Sequence, residues 1–212
     1  MDTSNWTENI QSRDEQRQIK RMAVLRAAAK LFNEFGYDRT SLDDIAGRLK
    51  VSKRTLYYYI KSKDEILFEC NRFALKFMND ALEDSKSSDL PALERIEKFF
   101  KAYMELLSTD FGACLVLSKN NVLSEESRNF LRQERKKIDV IARELIEEGI
   151  AEGSISPCNA AMTTAAIFGA FNWVPHWTKS SDSESYDEIA KHFIHLFING
   201  LKSIKNIPNN NS

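Results

Sequence analysis

Apolar residues recur three and four apart along most of this 212-residue chain, the spacing that gathers them on one face of a helix. Val24, Ala28, Leu31, Phe32 and Phe35 make such a stripe on a helix predicted from about Glu15 to Phe35, with Gly36 as its stop. Residues 1–14 are polar and lack periodicity, which predicts a disordered tail. Thr40-Ser41 ahead of Asp43-Asp44 is a helix start in either register: a hydroxyl caps free amides and a carboxylate reaches back. Leu42, Ile45, Ala46 and Leu49 then define a short helix with one apolar face, and Ala46 is small where a second helix would cross closely. Val51 is expected to be the buried residue of the turn. Ser52 caps a further helix, Lys53 to Ile60, on which Leu56 and Ile60 face inward. Ser62-x-x-Glu65 opens a longer helix from Lys63 to about Lys86.

The remainder keeps the same period. Pro91 starts a helix whose stripe is unusually wide: Leu93, Ile96, Phe99, Phe100, Tyr103, Met104 and Leu107. Phe111 to Asn120 reads as a short apolar helix or turn. Ser124 then opens an amphipathic helix to about Glu152, which Gly153 ends. Residues 158–178 are rich in small side chains that allow close helix approach, and Pro175 kinks or ends that segment. A last helix is expected over about 185–204, with a second disordered tail at 206–212. Only 7 Gly and 4 Pro interrupt the chain, so the fold class is all-α with about nine helices. The expected division is a helix-turn-helix domain at 15–62 and a larger helical domain at 63–205.

Charge sharpens the picture. The net charge is −1, yet residues 13–63 hold 13 Lys and Arg against 6 Asp and Glu, a surplus of seven. A basic head on an acidic body points to an anionic partner for the head alone. Its second short helix carries Lys53, Arg54 and Thr55 at the N-terminal end, with Tyr57 and Tyr58 partly outside. Such an end enters a DNA major groove, and tyrosine hydroxyls bond phosphates. A solvated basic face is the plainer alternative, but caps, turn and interleaved aromatics all fall in register. Cys70, Cys114 and Cys158 form no C-x-x-C pair and are expected to be free thiols. No signal segment or membrane span is evident, so a cytoplasmic location is expected.

The stretch LFNEFGYDRTSLDDIAGRLKVSKRTLYYYIKSKDEIL, within Arg21–Leu67, resembles the N-terminal domain of the TetR family of transcriptional regulators. The resemblance implies that Thr40 and Lys63 contact phosphates, that Lys53, Arg54, Thr55 and Tyr57 lie in the major groove, and that Tyr58 touches the DNA backbone. With the cap hydroxyls Ser41 and Ser52, these are the candidate DNA-contacting residues. Where the family often has Gly, before Val51, this chain has Lys50; a left-handed backbone there costs roughly 1 kcal/mol. The resemblance also implies a homodimer through the last two helices, with two recognition helices about one DNA turn apart on a near-palindromic operator. More loosely, ELIEEGIAEGSISP and GAFNWVPHW resemble regulators of fatty-acid, steroid or aromatic-acid breakdown. That similarity implies an acyl-CoA or apolar acid as effector, although Thr178-Lys179-Ser180-Ser181-Asp182 departs from that branch.

For an effector pocket the candidates are Phe99, Tyr103, Met104, Phe111, Cys114, Leu115, Phe168, Asn172 and Trp173: an apolar lining with few polar handles. Any one of them is as readily ordinary core. Arg128, Arg132 and Arg135 share a helix and could take an anionic head group, or could simply be a solvated face. His192 and His195 share a helical face, but no further ligand stands at a matching spacing, so no metal is expected. No nucleophile has a positioned base and no Gly-rich phosphate loop occurs; neither an enzyme nor a cofactor is expected. The sequence therefore reads as a ligand-responsive DNA-binding regulator, most simply a repressor released by a small hydrophobic or acyl-CoA-type effector. A drug- or stress-responsive regulator of the same build is the first alternative. A non-specific architectural DNA-binding protein, which needs more basic surface than this head offers, is the second.

Overall fold

The computed structural model describes residues 4–86, 89–178 and 183–202. They form α1 (Ser4–Phe35), α2 (Leu42–Leu49), α3 (Lys53–Tyr57), α4 (Lys63–Lys86), α5 (Ala92–Leu107), α6 (Asp110–Leu117), α7 (Glu125–Glu152), α8 (Ala160–Trp173) and α9 (Ser183–Leu201), with short 3-10 turns at Asn120–Val122 and Val174–His176. No strand occurs among the described residues. Packing divides the chain into two units: a head that runs to Ala74 and adds Asp110–Phe130, and a body made of Leu75–Thr109 and the chain from Leu131 on. Both tails fall wholly or partly outside the described residues, the segment 206–212 entirely so.

In the head, Leu25, Ala28 and Phe32 of α1, Ile45 and Ala46 of α2, Leu56 of α3, and Ile66, Leu67 and Cys70 of α4 are all buried. The periodicity placed these residues except Leu25, and it placed Phe35 wrongly: at the last residue of α1 that ring is 45 % exposed. Nor did the periodicity place the start of α1, which begins at Ser4 rather than near Glu15. Nothing between Ser4 and Phe35 is Gly or Pro, so no residue stops the helix; apolar spacing marks burial, and a helix can run on without it. Val51 also differs from expectation. It is 39 % exposed rather than buried, because the turn is closed by main-chain bonds from Lys50 N and Val51 N to Gly47 O and Ala46 O rather than by an apolar plug.

The caps fall where the sequence puts them. Ser41 Oγ accepts from Asp44 N at 3.1 Å, while Asp44 Oδ2 accepts from Ser41 N at 2.8 Å, a complete capping box. Ser41 Oγ also donates to Asp44 Oδ2 at 2.7 Å, and that bond, with the one from Ser41 N, holds the Asp44 carboxyl below the usual carboxylate range. Lys50 adopts the left-handed conformation, φ 54° and ψ 40°. Replacing it with glycine removes that strain but adds unfolded-state entropy, so Lys50→Gly is expected to stabilise the protein by about 0.5–1 kcal/mol. The midpoint of urea unfolding measures this; an unchanged or lower midpoint would contradict it.

In the body, α7 and α5 are joined end to end by a cap, with Glu152 Oε1 accepting from Ala92 N at 2.6 Å. After Gly153, at φ 81°, the chain turns back and Ile155 packs onto Gly149. A Cβ on Gly149 would sit 2.5 Å from Ile155 Cδ1, so only glycine permits this approach. Ser156 N then donates to Leu201 O at 2.7 Å, tying the start of the α7–α8 connection to the end of α9. The core of the body is aromatic: Phe99, Phe100, Tyr103, Phe168 and Phe171 meet in edge-on and stacked pairs with centroids 5.1–6.2 Å apart.

Candidate DNA interface and effector pocket

The helix expected to read DNA is short. α3 spans only Lys53–Tyr57, and Tyr58 to Ile60 continue as a turn rather than the helix expected to run through Ile60. Five residues cannot hold a helix by their own hydrogen bonds. What holds this one is Ser52 Oγ, which accepts from Thr55 N at 3.1 Å, and burial of Leu56 and Ile60. The outer face carries Arg54, Tyr57 and Tyr58, all exposed. Lys53 Nζ bonds Asp43 Oδ2 at 2.8 Å, which raises the ammonium pKa, and Thr55 Oγ1 lies 2.8 Å from Ser52 Oγ. The pairs at Lys53 and Thr55 are exposed and would have to exchange for DNA contacts.

The two residues expected at phosphates, Thr40 and Lys63, both bond main-chain oxygens of the head. Thr40 is only 2 % exposed, and its hydroxyl points to Gly36 O at 2.9 Å and Leu31 O at 3.3 Å. It anchors the α1–α2 turn from within and offers no free hydroxyl to a phosphate. Lys63 Nζ donates to Tyr37 O at 2.9 Å and Thr40 O at 3.0 Å, and lies 4.1 Å from the Tyr37 ring centroid. The Tyr37 hydroxyl in turn bonds Asp64, and burial with that carboxylate pushes the phenol pKa up. One of the three ammonium protons is left over for an anion. Lys63→Ala is therefore expected to lower stability by about 1–2 kcal/mol, the low side for bonds to a part-exposed cation, and to weaken binding to every duplex alike. Melting curves and binding isotherms on two unrelated duplexes check it; a loss confined to one duplex would contradict it.

The pocket candidates separate between the two units. In the body, Phe99, Tyr103, Phe168 and Asn172 come together: the Tyr103 hydroxyl bonds Asn172 Oδ1 inside the ring cluster, and burial holds the phenol pKa up so that it stays a neutral donor. Met104 is buried too, but on the side of a groove of about 540 Å³ between α5 and α9, with Tyr186 and Ile194 across it. Those two were not singled out from the sequence, although Tyr186, Ala190, Ile194 and Ile198 repeat every four residues. Trp173 does not join the cluster. It is 63 % exposed and stacks on His176 at 4.5 Å, because it sits on the opposite side of α8 from Phe171 and at the start of the turn that carries Pro175.

Phe111, Cys114 and Leu115 belong to the head. Phe111 stacks on Phe73 of α4 at 5.9 Å. Cys114 packs against Cys70, whose thiol burial pushes well up, and Cys114 Sγ lies 3.3 Å from Ser118 Oγ. With Asn33 Nδ2 donating to Asp110 O at 2.9 Å, these contacts bind α6 to α1 and α4. Arg128 donates to Leu123 O at 2.6 Å and so closes the turn ahead of its own helix. No group of residues suited to a metal ion occurs among those described.

Among the described residues, no helix is long and apolar enough to cross a membrane. Residues 24–70 match the family described as bacterial regulatory proteins, tetR family, and residues 89–201 match the tetracyclin repressor-like C-terminal domain. An uncharacterised HTH-type transcriptional regulator of Bacillus subtilis, YhgD, is 27 % identical over 145 residues, 68 % of this chain and 76 % of that protein. The fatty acid metabolism regulator protein of the same organism is 22 % identical over 192 residues, covering 88 % and 97 % of the two chains. The crystal structure of the TetR-family regulator PfmR from Thermus thermophilus superposes with a TM-score of 0.75 at 29 % identity, over 84 % of this chain and 98 % of that one. With a helix-turn-helix head, a helical body and both family domains matched, this chain belongs to the TetR family of DNA-binding transcriptional regulators.

Proposed function

We propose that the protein is a homodimeric repressor that leaves a near-palindromic operator when its body binds an acyl-CoA or related apolar acid. The observation that carries the effector class is the Tyr103–Asn172 pair set among Phe99, Phe168 and Phe171. The rings are closely packed in this structure, so an acyl chain would have to part them and take the Tyr103 phenol from Asn172; a neutral phenol beside an amide suits a carbonyl oxygen better than a charge. The similarity to a relative named for fatty acid metabolism supports the same class. Dimerisation is supported by apolar side chains left in solvent on the last two helices, Met162 at 71 % and Leu196 at 59 % exposure, beside Ala165, Ala166 and Gly169. Release then follows from linkage: an effector that favours the state with mismatched heads weakens operator binding by the factor by which operator weakens its own.

A second reading keeps the architecture and changes the effector, because the same ring faces would hold a bulky cation. A thermal-shift screen against acyl-CoAs, free fatty acids, aromatic acids and cationic drugs separates the two. A ligand at one hundred times its Kd stabilises the folded state by about 2.7 kcal/mol. That shift is expected from acyl-CoAs, with release of bound DNA. A shift from cations alone would move the assignment to drug sensing.

A further inference from the structure

α1 extends well beyond the apolar stripe that packs it into the head, and its exposed residues there include Arg13, Arg17 and Lys20. One turn further on, Arg21 is occupied: its guanidinium pairs with Glu65 at 3.1 Å and Glu69 at 3.5 Å, both on α4. Arg17 is held otherwise. Its guanidinium carbon lies 5.4 Å from the centroid of the Tyr58 ring, and no carboxylate lies within ion-pair distance of it among the described residues. Tyr58 caps the C-terminal end of the recognition helix, is 66 % exposed, and is braced edge-on by Tyr59 at 5.1 Å. A guanidinium over a ring gives up one face and keeps its in-plane N–H donors for an acceptor. The ring carries its own hydroxyl at its rim. Two exposed donors of compatible chemistry, one cationic and one neutral, are thereby held together by a contact between α1 and the end of α3.

We propose that Arg17 and Tyr58 form a single clamp for a phosphate of the DNA backbone, so that the DNA-binding surface includes α1 outside the helix-turn-helix. The clamp rests on the DNA-binding function of the head, and its contribution is sequence-independent. It has two consequences. Arg17 adds one neutralised phosphate per protomer, which on duplex DNA changes the slope of log affinity against log salt by about 0.9. Tyr58 is both platform and donor, so removing it weakens what Arg17 contributes.

The test uses the full chain and two duplexes of equal length: one recovered by in vitro selection from a random library, and a shuffled version of it. Affinities are measured by fluorescence anisotropy at several salt concentrations, with melting temperatures alongside. Arg17→Ala is expected to bind both duplexes about 3- to 10-fold more weakly, to lower the salt slope by about 0.9 per protomer, and to melt like the parent. Arg17→Lys is expected to keep the slope and recover part of the affinity. In a Tyr58→Ala background the Arg17→Ala effect is expected to shrink. A parent-like salt slope in Arg17→Ala would overturn the clamp, and so would an undiminished effect in the Tyr58→Ala background. If Arg17→Ala proves less stable, Arg17→Gln, which keeps the stem, takes its place under the same criteria. Salt-insensitive parent binding, with no sequence recovered, would instead bring down the DNA-binding reading itself, and the clamp with it.

Discussion

Phe171→Ala is expected to destabilise the protein by about 3–5 kcal/mol, the range for emptying an aromatic site in a packed core. Phe171 is fully buried on α8. Its ring meets Phe100 at 5.1 Å, Tyr103 at 6.2 Å, Phe193 at 5.7 Å and Phe197 at 6.0 Å, so it joins α5, α8 and α9. Four ring neighbours fixed on two helices, α5 and α9, cannot all move inward, and the cavity stays largely open. For a chain of this size each kcal/mol shifts the melting temperature by about 2–4 °C, which makes thermal unfolding followed by circular dichroism a sufficient measurement. Phe171→Leu, which leaves a smaller void, should lose much less. A drop of only a degree or two in Phe171→Ala would mean that the cluster is loosely filled and closes over the gap.

Leu56→Ala is the second large effect, and its signature is different. Leu56 is fully buried, and a five-residue helix has no stability of its own. The expected cost is about 2–5 kcal/mol, borne by the head. Binding to a selected duplex should fall more than tenfold, while effector-induced stabilisation of the body persists. Tyr57→Ala offers the contrast. That side chain is half exposed, so the fold should survive and discrimination between selected and shuffled duplexes should narrow. If Leu56→Ala bound DNA normally, the recognition surface would have to lie elsewhere than on α3.

Much of the head was legible because its signals are local. A hydroxyl three residues ahead of a carboxylate caps a helix wherever it stands, and Ser41 with Asp44 does so here. The left-handed turn at Lys50 was anticipated from the family resemblance, in which that position is often Gly, rather than from a signal in this chain. What was not legible depends on distant partners. That Thr40 spends its hydroxyl on Gly36 and Leu31, and Lys63 its ammonium on Tyr37 and Thr40, follows from how α1, α2 and α4 meet, which no spacing encodes. Trp173 and Phe171 lie two apart on α8, and helical period alone says they face apart, not which of them faces the core. The early start of α1 was hidden because its N-terminal half has no apolar stripe, and Arg17 was passed over with it.

Sequence-specific binding by a two-fold pair of heads is tested most directly by selection from a random duplex library. The expected result is enrichment of a near-palindromic sequence whose half-sites are centred about one helical turn apart, roughly 34–36 Å, and which the protein still prefers over random DNA at raised salt. Recovery of no common sequence, with binding that fades equally on all duplexes as salt rises, would contradict it.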